Sequence, residues 1–292
     1  MAFNWQTFRT RTLTAIIFAA VMLVGLLWNQ WSFLVLFSVV HFGSWWEYFR
    51  LMEKIHTTTF HIFTKLGLML MGYGLMLWFC GASFNIAWYG LIENFSLPVS
   101  AAGFGLLLIG IFQKNKIELK SFGAAALGLL YISSSWGLMI NLYGKSDIHV
   151  HDTMFVVWPN LLPLLTIISI WINDTMAYIV GSMIGKRPLS KISPKKTWEG
   201  TVGGIILSIA VVGLIAFYGF KLEWLSIPIM IIAAIAAIAG TFGDLLESKL
   251  KRMAGVKDSG HIMPGHGGFL DRFDSLLLAI PFVWLYVNLI MH

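Results

Sequence analysis

The feature that most constrains this chain is a series of nine long apolar segments. A helix that crosses a membrane needs about 20 mostly apolar residues, and each segment comes near that length. The segments cover residues 12–28, 31–49, 62–80, 97–112, 122–142, 161–181, 202–220, 225–243 and 274–290. Hydrophobic residues make up 58% of the 292 residues, charged residues only 12%, and mean hydropathy is +0.77. This composition excludes a soluble globular protein.

The apolar segments follow one another without a linker, a low-complexity run or an internal repeat. We therefore predict an all-α, polytopic membrane protein of about nine transmembrane helices. Residues 1–292 form one integral membrane domain, with N-terminal helices over 1–160 and the helices and loops that carry polar motifs over 161–292. No small-residue cleavage site follows the first apolar segment, so we expect it to remain as an uncleaved helix.

The basic residues fall almost entirely on one side of the predicted topology. If the N-terminus is cytoplasmic, only Lys145 and Lys221 of the 20 Lys and Arg residues lie on the outer side, which leaves 18 inside. The positive-inside rule then places the N-terminus in the cytoplasm and the C-terminus outside. The same rule is a sufficient explanation for Lys114, Lys116 and Lys120.

The first polar motif interrupts the sixth apolar segment. Asp174 stands where a charged side chain costs about 2.5–3.5 kcal/mol at the membrane centre, and Tyr178 lies one turn away from it. We expect Asn173, Asp174 and Thr175 to face a polar cavity, although a buried polar contact between helices is the alternative. The loop over 185–200 follows, and its five basic residues alternate with Ser, Thr, Gly and Pro. Such a loop can bind phosphates, but it can also be an ordinary cytoplasmic basic loop.

The second polar motif runs over residues 243–275. Asp244, Glu247, Ser248 and Lys251 share one face of a helix, as do the two carboxylates Asp271 and Asp274 further along. Carboxylate oxygens suit Mg²⁺, which usually binds one or two carboxylates together with substrate phosphates. For Asp271 and Asp274 the alternative is a favourable interaction of negative charge with a helix N-terminus.

The histidines indicate a functional site less clearly than the two polar motifs do. His266 could bind a metal or a phosphate, or could order its loop, and no Cys at suitable spacing supports a zinc site. His149 and His151 are interpreted as solvated loop residues on the outer side. His41 and Glu47 are interpreted as a polar pair inside the second helix rather than as a functional site.

The second motif resembles the C-terminal motif of the phosphatidate cytidylyltransferase (CDP-diacylglycerol synthase) family. The resemblance rests on Ser248–Arg252, Lys257–Gly260 and Pro264–Asp274, and the blocks at 173–178 and 193–200 are similar to other blocks of that family. Ser182 and Met263 depart from the usual family pattern.

The resemblance implies transfer of CMP from CTP to phosphatidic acid in phospholipid biosynthesis. It implies a Mg²⁺ cofactor, expected as two ions, held by Asp244 and Asp271 with Glu247 and Asp274 in support. It also implies CTP, phosphatidic acid and membrane lipid as partners, no nucleic acid, and a bacterial inner-membrane location with the site facing the cytoplasm; a homodimer is left open. Catalytic roles fall to Asp244, Asp271, Lys251 and Arg272. Substrate-binding roles fall to Asn173, Asp174, Tyr178, Ser193, Lys195, Lys196, Thr197, Glu199, Ser248, Lys257, Asp258, His266, Gly267 and Gly268.

Two other functions remain open at this point. A secondary transporter also uses carboxylates inside membrane helices, but it predicts polar residues near the midplane of several helices. Here the polar residues concentrate at the cytoplasmic ends of the later helices, which favours an enzyme at the membrane surface. A related CTP-dependent enzyme, such as a polyprenol kinase or an ether-lipid cytidylyltransferase, is the second alternative.

Overall fold

The computed structural model describes residues 5–81, 84–86, 89–90, 92–113, 118–145, 147–150, 153–219, 221–260, 262 and 267–291. Ten α-helices are described in these ranges. They are α1 (Trp5–Leu27), α2 (Gln30–Ile55), α3 (Ile62–Trp78), α4 (Leu97–Ile111), α5 (Leu119–Ala126), α6 (Ser135–Leu142), α7 (Leu161–Ile184), α8 (Trp198–Leu214), α9 (Ser226–Met253) and α10 (Leu270–Ile290). π-helical turns precede α4, join α5 to α6 and extend α8.

Two short antiparallel hairpins are the exceptions to an all-helical fold in the described ranges. Strand β1 (Asn85–Ile86) pairs with β2 (Tyr89–Gly90), and β3 (Asp147–Val150) pairs with β4 (Thr153–Val156). Both hairpins lie in connections between predicted membrane segments, so they leave the helical architecture of those segments unchanged.

The helices coincide with the predicted apolar segments. Six helical runs in the described part of the chain are long and apolar enough to cross a membrane: Asn94–Ile111, Leu119–Leu142, Leu161–Ile184, Trp198–Gly219, Glu223–Met253 and Leu270–Ile290. Thr12–Leu27 and Ile62–Trp78 are shorter apolar helices, and α2 is long but carries several charges. The protein is thus a multi-pass helical membrane protein, and the count of nine crossings stays a prediction.

The chain divides into two compact units. Unit 1 comprises Met1–Asn141 and Leu250–Phe273, and unit 2 comprises Leu142–Lys249 and Asp274–His292. Each unit therefore contains a part of the second polar motif.

Unit 1 has an aromatic core built on α2. Trp45 and Phe37 are fully buried, as is Trp136 of α6, and the rings of Phe37 and Trp136 lie 5.0 Å apart. The Trp45 indole N–H donates to the Ser133 hydroxyl over 2.8 Å, and His41 Nε2 lies 2.9 Å from the same hydroxyl. His41 thus has a partner other than Glu47, contrary to the expected pair.

Unit 2 is organised by close packing of α7 against α8. Gly200 and Gly204, four residues apart on α8, face α7: a Cβ on Gly204 would lie 2.8 Å from the Asn173 carbonyl oxygen and 2.8 Å from the Ala177 Cβ. Small residues at this spacing let membrane helices approach closely. The packing brings the start of α8 beside the part of α7 that carries Asn173 and Asp174.

Candidate active site

The basic loop between α7 and α8 has a closed backbone conformation. The Leu189 amide donates to the Lys196 carbonyl over 2.7 Å, and the Trp198 amide donates to the Arg187 carbonyl over 2.9 Å. These hydrogen bonds bring the end of the loop back beside the beginning of the loop. The loop is therefore a defined turn that presents its lysines beside α7.

Two side chains fix the end of this loop to α8. Thr197 is the N-cap of α8 and accepts a hydrogen bond from the Gly200 amide over 3.1 Å, which satisfies one of the amides that have no partner within the helix. Glu199, in the first turn of α8, accepts from the amides of Lys186 and Arg187 over 3.1 and 3.2 Å. Glu199 therefore orders the loop backbone through its carboxylate, and its predicted role in substrate binding stays a prediction.

Unit 2 contains a cavity of about 510 Å³ formed by α7, the basic loop, α8 and α9. This volume lies within the range of about 300–1,000 Å³ that small-molecule sites occupy. Thr201 and Thr241 also line it, although no sequence pattern distinguishes them. Thr175, which was expected to face the cavity, is exposed instead, and its hydroxyl donates to the Trp171 carbonyl over 2.8 Å. Seven residues predicted from the sequence line the cavity: Asn173, Asp174, Tyr178, Lys195, Lys196, Thr197 and Asp244.

The charged groups of this cavity interact with one another. The Lys196 ammonium forms an ion pair with the Asp244 carboxylate, which also accepts a hydrogen bond from the Ser248 hydroxyl over 3.3 Å. Asp174 interacts electrostatically with both Lys196 and Asp244, and it accepts a hydrogen bond from Asn173. The arrangement offers a cation that can bind a phosphate and two carboxylates that can bind a metal ion.

The oxygen donors of this cavity fit a magnesium ion. Asn173 Oδ1 is buried and has no hydrogen-bond partner among the described residues, and Asp174 and Asp244 supply carboxylate oxygens nearby. Mg²⁺ binds such hard oxygens and completes its shell with water and substrate phosphates. No group of three His, Cys, Asp or Glu side chains with metal-binding geometry occurs in the described ranges.

In unit 1 the second motif folds around the carboxylate of Asp271. Lys251 Nζ donates to Oδ1 over 2.7 Å, and the side chains of this pair are only 13% and 8% exposed. Oδ2 accepts from the Ser259 amide at 2.9 Å, the Ser259 hydroxyl at 2.8 Å and the Gly268 amide at 2.8 Å. Oδ1 thus faces one donor and Oδ2 faces three, so Oδ1 is the oxygen that can still bind a metal ion or another cation.

Glu47 of α2 is buried, as a polar residue inside the second helix should be, but its partners are not the expected His41. Its carboxylate accepts hydrogen bonds from the amides of Phe269 and Leu270 over 3.0 and 2.9 Å, and it lies 2.9 Å from the Ser259 hydroxyl, whose single proton it shares with Asp271 Oδ2. It thus belongs to the second motif in space, although it lies more than 200 residues away in sequence. A carboxylate inside a predicted membrane segment was the available signal.

A second cavity, of about 450 Å³, lies in unit 1. The exposed residues Lys257 and Asp258 line it together with Arg50, Glu53 and Lys54.

The remaining residues predicted from the sequence lie elsewhere in the two units. Gly267 has a φ of +83° and lies beside Asp271. Ser193 lies in the basic loop, Glu247 is fully buried on α9, and Arg272 and Asp274 lie in the first turns of α10. His266 and Met263 lie outside the described residues.

Comparison with known proteins decides the family. A model of the cytidylyltransferase family matches residues 9–290, which is nearly the whole chain. The chain belongs to this family. The resemblance inferred from the motifs is thereby confirmed, and the cytidylyltransferase match includes both cavities and the Asp271 cluster.

Several relatives of this cytidylyltransferase carry the name phosphatidate cytidylyltransferase. One from Staphylococcus saprophyticus is 35% identical over 240 residues, which cover 75% of this chain and 90% of the relative. One from Bacillus subtilis is 34% identical over 185 residues, or 63% of this chain and 65% of the relative. The Arabidopsis thaliana protein named phosphatidate cytidylyltransferase 4, chloroplastic, is 31% identical over 213 residues, or 67% and 53%.

Proposed function

We propose that this protein is a phosphatidate cytidylyltransferase, which makes CDP-diacylglycerol and pyrophosphate from CTP and phosphatidic acid. The observation that carries the proposal is the family match over residues 9–290, together with a relative of that name aligned over 90% of its length. The cationic and carboxylate side chains of the unit 2 cavity support it, because both substrates are phosphates.

The chemistry requires charge neutralisation more than proton transfer. A phosphate oxygen of phosphatidic acid forms a bond to the α-phosphorus of CTP, and the bond from that phosphorus to the bridging oxygen of the β-phosphate breaks. Because the attacking oxygen is already anionic, no general base has to activate it. Lys195, Lys196, Lys251 and Arg272 are the proposed phosphate-binding residues, since their cationic groups attract the anionic substrates and the departing pyrophosphate.

Carboxylates are the proposed ligands of the magnesium cofactor. Asp244 and Asp271 hold the ion or ions in this proposal, with Glu247 and Asp274 as further candidates. Bound Mg²⁺ supplies positive charge to the phosphates and orients them. The support lies in the donor chemistry: the cavity of unit 2 offers carboxylate oxygens and an amide oxygen of Asn173.

The proposed topology has nine membrane crossings with the N-terminus in the cytoplasm. Its support is the asymmetry of the basic residues, of which 18 of 20 fall on the proposed inner side. The motif loops then face the cytoplasm, where CTP is available, and phosphatidic acid enters from the inner leaflet. In a bacterium this membrane is the inner membrane.

Single cysteines test this topology. The native Cys80 is fully buried, so Lys191→Cys and Val156→Cys, both at exposed positions, can be labelled selectively. We expect a membrane-impermeant thiol reagent to modify Lys191→Cys only from the cytoplasmic side and Val156→Cys only from the other side. Labelling of both from the same side would overturn the proposed orientation.

An enzymatic assay tests the proposed activity. Purified protein is incubated with labelled CTP, Mg²⁺ and phosphatidic acid in detergent micelles, and CDP-lipid and pyrophosphate are measured. We expect equal amounts of the two products and none without phosphatidic acid. Phosphorylated lipid with CDP as the other product would indicate a kinase instead, and solute uptake into sealed vesicles without CDP-lipid would indicate a transporter.

A further inference from the structure

The buried carboxylate of Glu47 accepts hydrogen bonds from the segment that leads into α10. Glu47 is only 2% exposed. Oε1 accepts from the Phe269 amide over 3.0 Å, and Oε2 accepts from the Leu270 amide over 2.9 Å. Amides at the start of a helix have no partner within the helix, so a side chain from α2 satisfies donors at the start of α10.

The same segment wraps closely around this carboxylate. A Cβ added to Gly260 or to Gly268 would lie 2.1 Å from Glu47 Oε1. Neither position has room for a side chain, so these two glycines let the backbone approach Glu47. The carboxylate and the two glycines therefore define the path of the chain on both sides of residues 261–266.

Glu47 and Asp271 are linked through the same small set of groups. The Ser259 hydroxyl lies 2.9 Å from Glu47 Oε2 and 2.8 Å from Asp271 Oδ2. Gly268, whose amide donates to Asp271, directly precedes Phe269, whose amide donates to Glu47. Any displacement of this backbone from Glu47 must therefore move two of the donors that orient Asp271.

We propose that Glu47 is a positioning residue that holds Asp271 in the orientation required for binding of a divalent cation. The inference rests on the proposed function for its catalytic consequence, and its structural part concerns only unit 1. A carboxylate can accept from three donors at once, whereas an amide in its place turns an N–H group toward a backbone N–H. Glu47→Gln therefore loosens the segment while keeping the size of the side chain.

Glu47→Gln is the first test, and Glu53→Gln is its matched control. Glu53 lies on the same helix and pairs with Lys65 at 2.8 Å, with side chains 19% and 16% exposed. Mn²⁺ binding to the purified protein is measured by electron paramagnetic resonance without substrate, and amide hydrogen exchange is followed over 256–260 and 267–271. In Glu47→Gln we expect Mn²⁺ affinity and kcat each to fall about 10–100-fold, with a smaller change in the KM for CTP and faster exchange in both segments. Glu53→Gln should leave Mn²⁺ affinity and exchange over 267–271 unchanged; exchange over 256–260 is compared only between Glu47→Gln and wild type, because Glu53 lines the same cavity as these residues.

A second variant covers the case in which Glu47→Gln does not fold. Ser259→Ala removes only the hydroxyl between the two carboxylates, and we expect the same direction of change in Mn²⁺ affinity and exchange. A folded Glu47→Gln or Ser259→Ala protein with wild-type Mn²⁺ affinity and kcat would overturn the proposal. If the wild-type protein makes no CDP-lipid, the proposed function fails, while Mn²⁺ affinity and exchange still decide the role of Glu47.

Discussion

Replacement of Asp271 by Asn tests whether the second motif needs the negative charge of this side chain or only its size and shape. The change keeps the size of the side chain and one carbonyl oxygen but removes the negative charge. In the structure Oδ1 faces the Lys251 ammonium, and Oδ2 faces three donors from Ser259 and Gly268. The amide can satisfy one of these two sides only, because its nitrogen is a donor.

The contacts give the expected magnitude. If the amide oxygen stays on the three donors, its NH₂ group faces Lys251, whose side chain is only 13% exposed. The loss of one hydrogen bond between charged groups costs about 1.5–3 kcal/mol of folding free energy. Activity should fall further, by at least about 10²-fold, which is the usual effect of removing one electrostatic stabiliser of a transition state.

Three measurements check this prediction. CDP-lipid formation gives turnover, thermal unfolding in detergent gives stability, and a magnesium titration shows whether added Mg²⁺ recovers part of the activity. Glu118→Gln removes a carboxylate at an exposed position of the same unit, where its side chain makes no cap hydrogen bond, and should keep wild-type turnover. A folded Asp271→Asn protein with more than a tenth of wild-type turnover would refute the role that we give to Asp271.

Three further predictions concern the loop, the helix packing and the aromatic core. Lys196→Ala should raise the KM for CTP or phosphatidic acid at least about tenfold, because a charge-assisted contact is worth about 1.5–3 kcal/mol, and Lys191→Ala should not; steady-state kinetics compare the two. Gly204→Ala should lower the free energy of unfolding by about 1–3 kcal/mol through overpacking against α7, whereas Gly105→Ala, which has open space around it, should be tolerated; unfolding midpoints distinguish them. Ser133→Ala should cost about 1–3 kcal/mol in the same unfolding assay, since it leaves a buried indole N–H without its acceptor.

The helices and the first cavity could be predicted from the sequence because their signals are local. Apolar length predicts each membrane segment, and the helices lie where these segments do. Asn173 and Asp174 interrupt an apolar run, and the cost of a carboxylate there predicts a polar cavity.

The surroundings of Asp271 could not be predicted in the same way. Glu47 was recognised as polar, but its partners lie more than 200 residues away, and no periodicity connects α2 with the start of α10. His41 was the neighbour within reach on the same helix, so the pair was the natural local interpretation. Nor does the sequence show that Gly260 and Gly268 are needed for close approach to a carboxylate rather than for turns.

Charge pairing explains how these carboxylates can stand at the ends of apolar helices. Asp244 is paired with Lys196 in unit 2, and Asp271 is paired with Lys251 in unit 1. An isolated charge in such a place is costly, and a partner of opposite sign reduces that cost. Each pair also joins a group suited to a divalent cation with a group suited to a phosphate. In the proposed function, a divalent cation bound at either carboxylate and a phosphate bound at its partner lysine keep the charges of that pair compensated within its own unit.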